Sequence, residues 1–227
     1  MESGICTEAR RKNSRECGPC SVRKVAASGD IPLARLDSLL AQVELAHYGP
    51  RAEIFEQDEA GRRVFVIRRG LVKLVHDNES GLRRTVRLLA HGDAMGLEVL
   101  VDGRYRHAAQ AVEDLEVCAL PTRVLADLDA HSQCMHRELM GQWQHCLDQA
   151  DTVITRMSSG RARERVANYL LFVGRTTEGD PDGLMGRDEM AAILDLTTET
   201  VSRVMSDFRR EGIVDDPAAL KKVCQGL

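Results

Sequence analysis

The chain has 227 residues and a mass of 25.2 kDa, enough for one large domain or two of about 100 residues each. With 43% hydrophobic and 29% charged residues it can bury ordinary cores, which excludes wholesale disorder, and no apolar run approaches the roughly 20 residues of a membrane helix. Thirty-one basic against 35 acidic residues leave a net charge of −4, so any DNA-binding patch has to be local, and 4% aromatics with Trp143 as the one tryptophan argue against a stacking platform for single-stranded nucleic acid.

Residues 1–29 have little apolar periodicity and mix Arg10, Arg11, Lys12, Arg15, Arg23 and Lys24 with Cys6, Cys17 and Cys20, which predicts an N-terminal arm. Its polar start carries no signal-peptide core, and a cytoplasmic location with no membrane partner is expected. From Ile31 to Ala46 the positions of Leu33, Leu36, Leu39, Leu40, Val43 and Leu45 predict one amphipathic helix, with Pro32 suited to its first turn. Between Arg51 and Leu120 short runs alternate with turn signals at Asp58 to Gly61, Arg69-Gly70, Asp77 to Gly81, His91-Gly92-Asp93 and Asp102-Gly103. The runs 52–55, 64–68, 71–76, 85–89, 107–112 and 115–120 predict strands of a small antiparallel barrel or double-sheet roll.

A short helix over Thr122 to Asp129 leads into a long one from Ser132 to about Met157. There Leu139, Trp143, Cys146, Ala150, Val153 and Met157 are spaced 4, 3, 4, 3 and 4, the a/d pattern of a coiled-coil seam. This helix either packs on its own roll or pairs with a second copy; Asp148 and Asp151 beside the seam would make such a dimer weak and adjustable. Ser158-Ser159-Gly160 breaks it, and Arg161 to Arg175 forms another helix with Val166, Tyr169, Leu170 and Val173 on one face. The domains read from this order are 1–29, 30–130, 131–158 and 159–227.

Two further helices, Arg187 to Leu194 and Thr198 to Arg210, are joined by Asp195-Leu196-Thr197, with Ala191, Leu196 and Val201 placed as in a helix-turn-helix. Thr197 or Thr198 can cap the second helix, and Glu199, Ser202 and Arg203 fall on one face of it. Arginine there can take guanine bidentately, glutamate can accept from cytosine N4, and serine can meet a base or phosphate, with Arg209 and Arg210 continuing toward phosphates. The alternative is a plain i, i+4 surface pair between Glu199 and Arg203. Residues 159–227 hold ten basic and twelve acidic side chains, so binding would depend on two half-sites held by a dimer.

Roll, long helix and helix-turn-helix, in that order over nearly the whole chain, resemble the Crp/Fnr family of bacterial transcription regulators. The stretch Leu196-Thr197-Thr198-Glu199-Thr200-Val201-Ser202-Arg203 resembles the recognition helix of its Fnr-type branch, which implies double-stranded DNA with TTGAT-like half-sites, a homodimer and RNA polymerase as partners, and DNA contacts from Thr198, Glu199, Ser202, Arg203 and Arg209. The implied fold is α+β: an antiparallel β-roll of the cyclic-nucleotide-binding kind, a dimerisation helix and a helix-turn-helix domain. Two departures stand out. Asp195 replaces the usual turn glycine, and after Gly212 the chain runs into Asp215-Asp216-Pro217, so the wing is expected to be reduced.

Where relatives hold cyclic nucleotide with Gly-Glu and Arg-Ser or Arg-Thr pairs, this chain has Gly96-Leu97-Glu98 and Arg106-His107; no cyclic AMP is expected, because the glutamate would turn to the other strand face and the phosphate hydroxyl is missing. Seven cysteines point elsewhere. Cys17-Gly18-Pro19-Cys20 with Cys6 can bind a soft metal or run dithiol redox chemistry. Cys118 lies where the resemblance places the distant cluster ligand of oxygen-sensing Fnr proteins, so Cys6, Cys17, Cys20 and Cys118 are the implied ligands of a [4Fe-4S] cluster sensing oxygen or redox state, although the usual third cysteine after the C-x-x-C is absent from Ser21 to Asp30. Gating by cysteine thiol oxidation or by a small molecule in the roll stays open. Cys134, Cys146 and Cys224 read as ordinary packing residues, and no nucleophile, base and orienting group can be assembled into an enzyme site.

Overall fold

A computed structural model describes residues 31–78, 83–176, 186–214 and 216–225, so Cys6, Cys17, Cys20 and the predicted arm lie outside the described residues. Contacts divide the chain into two compact units, 1–72 with 89–146, and 73–88 with 147–227.

The first unit opens with α1 (Leu33–Leu40), which buries Leu36 and Leu40. The helix predicted to reach Ala46 stops there, because Glu44–Tyr48 is strand β1, laddered against β8 (Leu115–Pro121) with Leu45 opposite Cys118. Pairing along a strand outweighs the weak helical spacing of Val43 and Leu45. β2 (Glu53–Phe55), β3 (Arg63–Arg69), β6 (Ala94–Met95) and β7 (Ala108–Ala111) complete this unit's strands. One sheet has the order β1-β8-β3-β6; in the other, β2 pairs antiparallel with β7, and β4 (Val72–Asp77) neighbours β5 (Arg83–Leu89). β1 and β6 are additions to the predicted strands; β6 is two residues long, too short to carry a period.

Side chains alternate across β3 and β8. Phe65, Ile67, Val117 and Ala119 share one buried face, while Val66 and Cys118, directly opposed, share the other. Phe55 stacks on Tyr105 at 3.8 Å and on Phe65 at 5.7 Å between ring centroids. The β3–β4 turn depends on Gly70 at φ +99, where an added Cβ would sit 2.5 Å from the carbonyl oxygen of Asp114.

Gly96 at φ +77 ends β6 before α2 (Val99–Asp102), with Glu98 at its N-cap. The sequence expectation of Glu98 on a strand face is therefore corrected: it precedes a helix, and its carboxylate accepts the backbone N–H of Arg106 at 3.2 Å. α3 (Thr122–His131) follows β8, and Ser132 Oγ accepts the Met135 N–H at 3.2 Å to start α4 (Gln133–Thr152). On α4, His145 Nε2 lies 2.9 Å from Asp93 Oδ1, and Asp93 Oδ2 accepts the Ala90 N–H at 2.8 Å.

α4 passes into a π-helical turn, Val153–Met157, closed by a Ser158 N–H to Val153 carbonyl bond of 2.8 Å. In the second unit Val153 and Met157 are buried against α5 (Ala162–Thr176). The π turn sets both side chains against their own chain. Leu139, Trp143, Cys146 and Ala150 are half-buried, and along the same helix and its π turn the exposed large apolar side chains are Met140, Leu147 and Ile154, seven residues apart.

α6 (Arg187–Leu194), α7 (Thr198–Glu211) and α8 (Pro217–Cys224) complete the second unit around Tyr169, Met190, Leu194, Met205 and Phe208. Among the described residues no strand follows Gly212. Instead Asp216 Oδ1 caps α8 through the Ala218 and Ala219 N–H groups at 2.8 and 3.1 Å, with Pro217 in its first turn and Leu220 buried. Replacing Gly70 with alanine should lower the stability of the chain by about 2–4 kcal/mol, read from chemical denaturation of the full-length protein.

Candidate nucleic-acid interface

The second helix of a helix-turn-helix can read a groove only if its rotation about its own axis is fixed. Here α7 buries Val201, Val204, Met205 and Phe208, at spacings of 3, 1 and 3, and this apolar stripe sets the opposite face outward. Thr198, Glu199, Arg203, Ser206, Arg209 and Arg210 are exposed on that side, with Ser202 half-buried at its margin. Among the described residues, the side chains of Glu199 and Arg203 form no pair with one another, so the i, i+4 surface bridge does not close. Their donors and acceptors face solvent.

The start of α7 is built by Thr197, whose Oγ1 accepts the Thr200 N–H at 3.2 Å. Thr198 is held differently from its expected role: its hydroxyl donates to Asp188 Oδ1 at 2.7 Å, tying α7 to the first turn of α6. At the far end Arg163 on α5 lies 4.7 Å from the Phe208 ring centroid and pairs with Glu211. Arg210 pairs with Asp207 at 2.6 Å, and Arg203 and Arg209 are exposed on the same helix.

Between α6 and α7, Asp195 adopts φ 53 and ψ 47. The left-handed turn that relatives build with glycine is therefore kept in an aspartate. Also in this unit, Lys73 on β4 pairs with Glu189 on α6, and Arg84 Nη2 on β5 lies 3.4 Å from Asp195 Oδ1. The second contact joins two exposed groups and contributes little. The Arg163 and Lys73 partnerships have no local sequence signal, since each joins residues from distant parts of the chain.

Of the four predicted cluster ligands, Cys118 is the one within the described residues. It is 5% exposed, on the β8 face it shares with Glu116, opposite Leu45 and Val66. Arg68 pairs with Glu116 at 3.0 Å two residues along that face. Among the described residues no group of three His, Cys, Asp or Glu side chains could hold a metal ion. Cys134 lies in the first turn of α4, Cys146 is half-buried further along it, and Cys224 ends α8, where burial pushes its thiol pKa up despite the nearby Arg156.

At the stretch matching the nucleotide-phosphate arginine, Arg106 Nε donates to Asp102 Oδ2 at 2.8 Å and its Nη2 bonds the same oxygen. Hydrogen bonding to Asp102 raises the Arg106 pKa further above its ordinary value. Glu98, 9% exposed, is spent on the Arg106 backbone.

Comparison with known proteins gives the same organisation. Residues 45–132 match the cyclic nucleotide-binding domain and residues 164–222 the Crp-like helix-turn-helix domain. The chain is 31% identical over 180 residues to the cyclic AMP receptor protein of Thermus thermophilus, covering 79% of this chain and 83% of that one. It is 24% identical over 209 residues to the fumarate and nitrate reduction regulatory protein of Vibrio cholerae, covering 87% and 82%. The solved structure of FixK2 from Bradyrhizobium japonicum superimposes with a TM-score of 0.67 at 28% identity, over 75% of this chain and 86% of that one. A roll and a capped helix-turn-helix of these sequences place the chain in the Crp/Fnr family of DNA-binding transcription regulators, which are not enzymes.

Proposed function

We propose that this regulator binds palindromic promoter DNA with TTGAT-like half-sites as a homodimer in the cytoplasm, engages RNA polymerase there, and takes its signal from oxygen or redox state through Cys6, Cys17, Cys20 and Cys118. The observation that carries the DNA half is the outward, unbridged Glu199, Ser202 and Arg203 face of α7. Two such helices reach half-sites one helical turn apart only when a dimer links them. The exposed stripe of Met140, Leu147 and Ile154 supports pairing through α4, with Trp143 and Ala150 beside it, in place of the inward residues Val153 and Met157. No helix among the described residues is long and apolar enough to cross a membrane.

The names of the two relatives point to different roles, cyclic AMP reception and the regulation of fumarate and nitrate reduction. Three residues here favour the second. Asp102 neutralises Arg106, His107 supplies no hydroxyl where the phosphate would lie, and Glu98 is already bonded to backbone. A nucleotide phosphate would have to displace a carboxylate from its arginine before it could bind.

Cys118 suits a cluster ligand. Its strand is laddered on both sides, which fixes the sulfur, and Leu45 and Val66 opposite it keep water off the thiol. Cys6, Cys17 and Cys20 would complete the four thiolates. When bound, a [4Fe-4S] cluster supplies oxygen-labile redox chemistry. Arg68 and Glu116 hold the polar end of the same sheet face in place.

Protein purified without air should carry about four iron and four sulfide per chain, and Cys118→Ala should lose both while its circular dichroism stays native. An iron-free, colourless native preparation overturns the sensing assignment. Arg203→Ala should weaken specific DNA binding by about 1–3 kcal/mol and relax the preference at one guanine, read by fluorescence anisotropy on substituted half-sites. Leu147→Asp should raise the dimer dissociation constant at least about 100-fold in sedimentation, because each copy loses a buried leucine, whereas Val153→Ala should act on stability and leave dimerisation nearly unchanged.

A further inference from the structure

The turn before the recognition helix poses a backbone problem that one distant side chain answers. Asp195 sits in the left-handed region, which costs a non-glycine residue free energy unless its surroundings hold it there. The N–H groups of Asp195 and Leu196 both go to the Ala191 carbonyl, the latter at 2.9 Å. The carbonyls of Leu194 and Asp195 then have no donor in their own helix, as at any helix end. Arg165 on α5 supplies it: Nη1 donates to the Leu194 oxygen at 3.1 Å and to the Asp195 oxygen at 3.3 Å.

The same guanidinium reaches a second turn. Its Nε donates at 3.0 Å to the carbonyl of Gly160, which stands at φ +90 in the break between the π turn and α5. One planar, permanently charged fork therefore joins the break after the long helix to the turn that launches α7. Lysine could not do this, because its ammonium offers no fixed fork. The positive charge also lies at the negative end of the α6 dipole.

We propose that Arg165 is a positioning residue for DNA readout. It holds Asp195 in its left-handed conformation and so sets the direction in which α7 leaves the turn. α7 begins at Thr198, three residues after Asp195, and its first two turns carry Glu199, Ser202 and Arg203. A change of φ and ψ at Asp195 tilts the first turns of α7 and carries those side chains away from base edges. The bond to Gly160 makes this clamp sensitive to the break at 158–160, through which any change in the long helix has to pass. The proposal rests on α7 being the groove-reading helix, but not on which of its side chains reads which base.

The test is a pair of substitutions in the full-length protein, measured by fluorescence anisotropy on a TTGAT-type palindrome across a salt series. Arg165→Ala should weaken specific binding about tenfold, the loss of charge-assisted bonds to two carbonyls. Adding Asp195→Gly should restore affinity to within about threefold, because glycine takes the left-handed conformation unaided. Asp195→Gly alone should bind within about twofold of the native chain. The slope of log affinity against log salt should be the same in all of them, whereas a direct phosphate contact by Arg165 would lower it by about one on its removal. Where Arg165→Ala does not fold by circular dichroism, Arg165→Lys gives the same reading, with a smaller loss and the same rescue. Native affinity in Arg165→Ala, failure of Asp195→Gly to rescue, or a slope reduced by about one each overturns the proposal. Failure of the readout assignment would show separately, as native specificity in Arg203→Ala with the rescue intact.

Discussion

The burial of one side of α7 is the constraint on which the outward polar face of that helix depends. Val201, Met205 and Phe208 are fully buried and Val204 nearly so, and each such side chain is worth about 1.5–3 kcal/mol on burial. Exposed ion pairs contribute about 0.2–1 kcal/mol each, so the Arg210–Asp207 and Arg84–Asp195 pairs cannot compete in setting the rotation of the helix. Hydrophobic burial chooses the face, and the polar contacts refine the ends: Thr197 at the first turn, Arg163 over Phe208 near the last, and Arg165 at the turn before it. With ten basic against twelve acidic residues in 159–227, attraction to phosphate is weak. Correct aim of a few side chains then matters more than charge.

The roll uses its polar groups on itself. Asp102 answers Arg106, Glu98 answers the Arg106 N–H, and Asp93 receives both Ala90 N–H and His145. With Arg106 paired to Asp102, a phosphate at this place would compete with a carboxylate already bonded to the guanidinium. Cys118, by contrast, lies on the opposite side of β8 from Val117 and Ala119 and is offered away from their core.

Much of this could be read from residue order. The alternation in 64–68 and 115–120, the glycine turns and the Leu196 to Arg203 stretch carry their meaning locally, because period and turn geometry are short-range properties. One reading failed for lack of that locality. Val43 and Leu45 fit a helix until β8 arrives to pair with Glu44–Tyr48. Leu139 to Met157 and Met140 to Ile154 are neighbouring stripes of one helix with nearly the same spacing, and the π turn buries Val153 and Met157 on their own chain. The reduced wing expected after Gly212 agrees with the helix start at Asp216-Pro217, which stands where a strand would begin.

Sequence by itself determined the order of elements, the type of the C-terminal DNA-reading helix, the position of Cys118 on a strand and the absence of the nucleotide's phosphate hydroxyl at His107. These follow from local periodicity, capping and residue chemistry, which need no partner. Tertiary structure alone decided which stripe of α4 is left exposed and that Arg165 supports a turn thirty residues away. Each of those depends on two segments meeting in space, and the meeting is set by burial of the core rather than by any pattern that either segment carries.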